Sequence, residues 1–121
     1  MQATPAVNLH FKKILHRRRF VMSTLQNFRT YELSIEFYRE CRKIKLPHAM
    51  RDQLMRASSS ITLNLAEGAA KSSRKERLRY YGIAFGSVRE IQAIIRLEDL
   101  SVLERSVDYL AACLYKLTRQ A

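Results

Sequence analysis

From Phe28 to Leu117 apolar side chains recur at steps of three and four, and the only breaks carry helix-stop or helix-start residues. Leu46-Pro47 is the first break, because proline disfavours helical geometry in the residue before it and suits the opening of the next helix. Ser73-Arg74-Lys75-Glu76 and Ser101-Val102-Leu103-Glu104 both have the Ser-x-x-Glu form of a capping box. The pattern predicts helices over 28–45, over 48–70, from Ser73 to about Leu97, and from Ser101 onward. Four helices with short links must pack as antiparallel neighbours, so the expected fold is all-α, an up-down-up-down antiparallel four-helix bundle. Three glycines and two prolines are too few for a turn-rich β-sandwich or barrel, and 121 residues make one such domain. The expected organisation is a basic extension over 1–21 followed by the bundle over 22–121.

Each helix shows a candidate core stripe. Helix one has Tyr31, Ile35 and Tyr38, with Leu33, Phe37, Cys41 and Ile44 beside them. Helix two has Met50, Leu54, Ala57, Ile61 and Leu65, and helix four has Leu103, Val107, Leu110, Leu114 and Leu117. Helix three is expected to bury Leu78, Tyr81, Phe85, Val88 and Ile95. Ile83 and Ile94 then fall on nearly the opposite side, with Ile91 between. That apolar arc is wider than one core contact requires, so Ile83, Ile91 and Ile94 are expected to form an oligomer interface. Gly82 and Gly86 each cost about 1 kcal/mol relative to alanine inside a helix, which points to a close approach by a neighbour. Gly68 has two readings, the same close approach or a relaxed helix end. Asn64 and Glu67 on helix two, and Ser87 and Glu90 on helix three, are expected to satisfy one another as a structural polar network that fixes register.

The chain holds 22 Lys and Arg against 11 Asp and Glu, a net charge of +11, so a polyanionic partner is expected. Residues 1–21 contribute Lys12, Lys13, Arg17, Arg18 and Arg19 and no acid. This stretch reads as a basic extension upstream of a true start at Met22, as an arm that touches nucleic acid, or as a transit-type leader. In the bundle the densest basic run is Lys71, Arg74, Lys75, Arg77 and Arg79, and Arg39, Arg42, Lys43 and Lys45 form a second cluster. The expected nucleic-acid contacts are Arg42, Lys43, Lys45, Lys71, Arg74, Lys75, Arg77 and Arg79, reading phosphates rather than bases. No nucleophile–base pair, phosphate loop or metal-ligand spacing is evident, so neither catalytic residues nor a cofactor or metal is expected. His10, His16 and His48 stand singly. Cys41 and Cys113 lie in apolar helical runs and read as buried, reduced thiols. No apolar run reaches the ~20 residues of a membrane span. A cytoplasmic location is expected, with no membrane partner.

Ser60-Ile61-Thr62-Leu63-Asn64-Leu65-Ala66-Glu67-Gly68, followed by Lys71-Ser72-Ser73-Arg74-Lys75-Glu76, resembles the S-I-x-x-N-[IL]-A-E-G…[RK]-x-S-[RK]-[KR]-E signature of the four helix bundle protein family. These proteins are encoded in intervening sequences of bacterial 23S rRNA genes. Tyr80-Tyr81-Gly82-Ile83-Ala84-Phe85-Gly86-Ser87-Val88-Arg89-Glu90 resembles the family's second signature, and Gln53-Leu54-Met55-Arg56-Ala57-Ser58 resembles the run before the first. The likeness spans about residues 28–119 and extends to the accessory variability determinant (Avd) proteins of diversity-generating retroelements. It implies a four-helix bundle that assembles as a ring-like homopentamer, with RNA binding for the rRNA-encoded branch and a non-enzymatic, nucleic-acid-binding role for the Avd branch. For the Avd branch it also implies a reverse transcriptase as partner. Two features depart from the family pattern: the 1–21 extension, and a link between helices three and four several residues shorter than is typical. The alternative to a nucleic-acid binder is a protein-interaction scaffold whose charge meets an acidic protein surface.

Overall fold

A computed structural model describes residues 25–120, and the side chains of 28–119. The 1–21 extension lies outside the described residues. Four α-helices follow in order: α1 Leu25–Arg42, α2 His48–Ala69, α3 Arg74–Glu98 and α4 Glu104–Gln120, the last preceded by a 3₁₀ turn over Ser101–Leu103. Among the described residues there is no strand. Successive helices pack side by side, and α1 closes the bundle against α4, so α1 and α3 occupy opposite corners. The links α1–α2 and α3–α4 therefore lie at one end, and α2–α3 lies at the other.

Two stops differ from the sequence reading: α1 ends at Arg42, short of the expected residue 45, and the second capping box does not form. The Ser73 hydroxyl accepts the Glu76 backbone N–H at 3.1 Å and caps α3. Asp99, with φ 57°, ends α3 in the left-handed conformation and returns its N–H to the Ile95 carbonyl. The link that follows is so short that the second predicted capping box becomes the 3₁₀ turn. Leu103 N–H bonds to the Leu100 carbonyl at 3.0 Å, and Leu100 gives no side-chain cap.

The core joins buried positions from all four helices. The α4 stripe Leu103, Val107, Leu110, Leu114 and Leu117 is buried throughout, as are Leu54, Ala57, Ile61 and Leu65 of α2. Helix α1 differs from expectation. Its buried seam is Thr30, Ser34, Phe37 and Cys41, while Tyr31, Ile35 and Tyr38 are only half-buried. The seam tolerates hydroxyls because they are satisfied locally: Ser34 Oγ donates to the Tyr31 carbonyl at 2.7 Å and lies 2.7 Å from Thr62 Oγ1 on α2. Ser58 Oγ, which faces the Cys41 thiol across this contact, donates to the Met55 carbonyl at 3.2 Å. Small side chains of this kind let α1 and α2 come close.

Helix α3 requires the larger correction. Its seam is Tyr81, Ala84, Val88, Ile91 and Ile95, a strict three–four alternation, with Ile94 alongside. Ile91 is 0% exposed and Ile94 3%, so both are core residues of their own bundle and lie outside any oligomer interface. The expected arc was centred on Phe85, whereas the true one is centred on Ala84, a small residue that a search for bulky stripes passes over. Phe85 moves to the rim beside Tyr115, ring centroids 6.2 Å apart. Of the three expected interface residues only Ile83 is exposed, at 43%.

The glycines divide as well. A Cβ on Gly68 would stand 2.7 Å from Cε1 of the buried Tyr81 and 3.0 Å from Cβ of Tyr80, so Gly68 lets α2 and α3 meet. Gly82 and Gly86 face open space instead, with nothing within 4 Å of a Cβ built at either. No element among the described residues accounts for them.

Candidate nucleic-acid interface

The α2–α3 link and the first turns of α3 carry most of the basic run, and its members do different work. Arg77 points back into the link: its guanidinium donates to the Ser72 carbonyl at 2.9 Å and to the Lys71 carbonyl at 3.3 Å. This arginine is a clip that satisfies two carbonyls of the α2–α3 link. Lys71 and Arg79 lie against the Tyr80 ring, 5.3 Å and 4.9 Å from its centroid. Each also has a carboxylate nearby, Glu67 at 3.3 Å from Lys71 and Glu76 at 3.9 Å from Arg79. Contact with Tyr80 and Glu76 raises the Arg79 guanidinium still further above its ordinary value. Arg74 and Lys75 are exposed and make no hydrogen bond, ion pair or ring contact among the described residues.

Folding brings further cations to this end that reading along the chain missed. Helix α4 runs antiparallel to α3, as the Phe85–Tyr115 contact and the 3.1 Å bond from Gln92 Nε2 to Asp108 show. Its C-terminal turns therefore return to the start of α3 and bring Lys116 and Arg119. Arg119 sits 5.3 Å from the Tyr115 ring. The signal was available in the predicted topology, since an up-down-up-down bundle places the end of helix four beside the start of helix three.

The second cluster has a different setting. Arg42, Lys43 and Lys45 lie at the end of α1, where they complement its dipole, and Arg42 rests 6.0 Å from the Tyr38 ring. They share that end of the bundle with Glu98, Asp99, Glu104 and Asp108 of the α3–α4 hairpin. Arg51, which sequence reading passed over, clips this link as Arg77 clips the other, donating to the Ile44 carbonyl at 3.1 Å and the Arg42 carbonyl at 3.4 Å. One end of the bundle is thus strongly positive and the other nearly balanced. The two predicted clusters are not equivalent.

Part of the expected polar network forms, with a different centre. Ser60 is its hub: Asn64 Nδ2 donates to the Ser60 carbonyl at 2.8 Å and to its hydroxyl at 3.1 Å, and Ser87 Oγ donates to Ser60 Oγ at 3.0 Å. Glu67 turns to Lys71 instead, and Glu90 is exposed on the rim of a notch of about 220 Å³ with Gln53, Arg56 and Ser60. The network registers α2 against α3 at the surface of their groove. Among the described residues no group of His, Cys, Asp and Glu could hold a metal ion. No helix is long and apolar enough to cross a membrane.

An all-helical bundle with one cationic end and a serine–asparagine register between its two central helices defines a class of small basic four-helix proteins. The chain belongs to the 23S rRNA-intervening sequence protein family, whose model matches residues 26–120. Comparison with curated proteins gives no match, and comparison with solved structures gives none.

Proposed function

We propose that this is a non-enzymatic, oligomeric protein that binds RNA or other nucleic acid through the cationic end formed by α3, the α2–α3 link and the end of α4. One observation carries the reading. Arg74 and Lys75 occupy the first turn of α3, where the helix dipole is positive and a basic side chain is unfavourable, and neither is compensated among the described residues. Stability gains nothing from placing cations there, whereas a phosphate backbone gains both the cations and the dipole. The nearby rings do not offer base platforms, because Tyr80 is already engaged by Lys71 and Arg79 and Tyr115 by Arg119. Binding is therefore to the backbone, with little preference for sequence.

The test is a titration of the full chain with RNA and with DNA at several salt concentrations. Affinity should fall steeply as salt rises. Arg74→Glu combined with Lys75→Glu should weaken binding at least tenfold while leaving the melting temperature equal or slightly higher, because glutamates suit the positive end of the α3 dipole. Arg77→Ala should instead lower the melting temperature, because link carbonyls lose their donor. Affinity indifferent to salt, or equal in the double variant and the parent, refutes the assignment. Capture of a single acidic protein with no nucleic acid would replace it with the scaffold reading.

A further inference from the structure

We propose that the α1–α2 link forms a second binding site, a pocket for a small phosphate ester of the nucleoside monophosphate kind. It lies at the end of the bundle opposite the cationic one and does not depend on nucleic-acid binding there. The pocket has a volume of about 360 Å³ and is lined by Arg42, Lys43, Ile44, Lys45, Leu46 and Arg51. That volume falls at the lower end of the roughly 300–1,000 Å³ of small-molecule sites. Cations dominate the lining, and no acid is part of it.

Arg51 organises the pocket. Both of its bonds to link carbonyls leave from Nη1, to Ile44 at 3.1 Å and to Arg42 at 3.4 Å. The guanidinium is thereby fixed, while its Nε and Nη2 hydrogens meet no acceptor among the described residues. A fixed fork with a free donor edge loses little freedom on taking two phosphate oxygens. Lys43 and Lys45 are exposed, and neither is ion-paired among the described residues. The backbone N–H groups of Lys45 and Leu46 are also without an acceptor there. Ile44 and Leu46 are half-buried and add an aliphatic surface, which a bare phosphate cannot use and the organic part of an ester can.

The surroundings favour a small ligand over a long strand. Glu98, Asp99, Glu104 and Asp108 of the α3–α4 hairpin share this end of the bundle, Glu36 and Glu40 lie on α1, and Asp52 stands 3.5 Å from His48. A polyanion laid across this end meets those carboxylates as well, whereas a single phosphate seats among the cations alone. The two basic clusters thus take different ligands, a polymer at one end and a small ester at the other.

Isothermal titration of the full chain with adenosine 5′-monophosphate, adenosine and inorganic phosphate tests this. The monophosphate should bind one per chain and adenosine should not bind, because the phosphate supplies the attraction. Inorganic phosphate should bind at least tenfold more weakly than the monophosphate. Lys43→Gln combined with Lys45→Gln, both at exposed positions, should weaken monophosphate binding at least tenfold and keep the melting temperature. Arg74→Glu combined with Lys75→Glu should leave monophosphate binding intact. The site is overturned by a monophosphate that fails to bind, binds equally in the Lys43 and Lys45 variant, or is lost in the Arg74 and Lys75 variant. Equal affinity for inorganic phosphate overturns it too, since the aliphatic surface would then have no role. Displacement of the monophosphate by 5′-phosphorylated RNA, and not by the 5′-hydroxyl form, supports the pocket with a strand end as the source of the ester. No displacement by either supports it with a free nucleotide as the source.

Discussion

Gly68 has the tightest steric requirement of the three glycines. A methyl group there meets a buried tyrosine ring below 3 Å, and the ring cannot swing away because Tyr81 is itself core. Gly68→Ala should therefore lower stability by about 1–2 kcal/mol in a thermal melt, overpacking outweighing the better helix propensity of alanine. Cys41 is constrained electrically. Burial pushes its thiol from 9.0 up to about 12, against the smaller opposing effect of the Ser58 hydrogen bond. The folded chain thus holds its proton at pH values where the unfolded chain releases it. The stabilisation from this group is complete below pH 9 and is lost as the pH climbs toward 12. Unfolding midpoints measured from pH 8 to 11 should fall less in Cys41→Ala than in the parent, and alkylation at pH 8 should reach Cys41 only after denaturation. The burial of Cys41 could be read from its apolar helical run, whereas the constraint at Gly68 could not. Gly68 could be read as a close approach or as a relaxed helix end, and choosing between them needed the position of Tyr81.

At the scale of the helices most of the fold was legible, because core periodicity and stop signals are local. Where the reading went wrong, small residues were the cause. The α1 seam uses Thr30 and Ser34, and the α3 seam turns on Ala84, so stripes drawn through the bulkiest side chains were rotated toward the rim. That rotation made Ile91 and Ile94 look surplus when they are core. The capping boxes show a second limit. Ser73 and Ser101 have the same sequence form, but only Ser73 has enough chain before it to take a cap geometry. Ser73→Ala should cost about 1 kcal/mol and Ser101→Ala less than about 0.5 kcal/mol, as chemical denaturation can measure. Gly82 and Gly86 test the outer face of α3 at the same scale. With open space at both positions, replacing the pair with alanine should raise the stability of a dissociated chain by about 1–2 kcal/mol while weakening self-association in the ultracentrifuge.

For the whole molecule, the candidate site was half legible. The run from Lys71 to Arg79 can be read along the chain, but its division into a clip, a pair of ring-stacked cations and two free ones cannot, because partners distant in sequence decide it. Lys116 and Arg119 join the site only through topology. Reversing those two charges should weaken nucleic-acid binding and flatten its salt dependence by about 0.7–0.9 in log–log slope for each phosphate no longer neutralised. Reversing Arg42 and Lys43 should have the smaller effect, since that end already carries Glu98, Asp99, Glu104 and Asp108.

Unequal charge at the two ends makes each bundle a rod with an electrical axis along its length. In the field of a long polyanion such a rod feels a torque before any contact, so it arrives already turned. Most early collisions are then productive ones, and the advantage fades once the Debye length shrinks below the length of the rod.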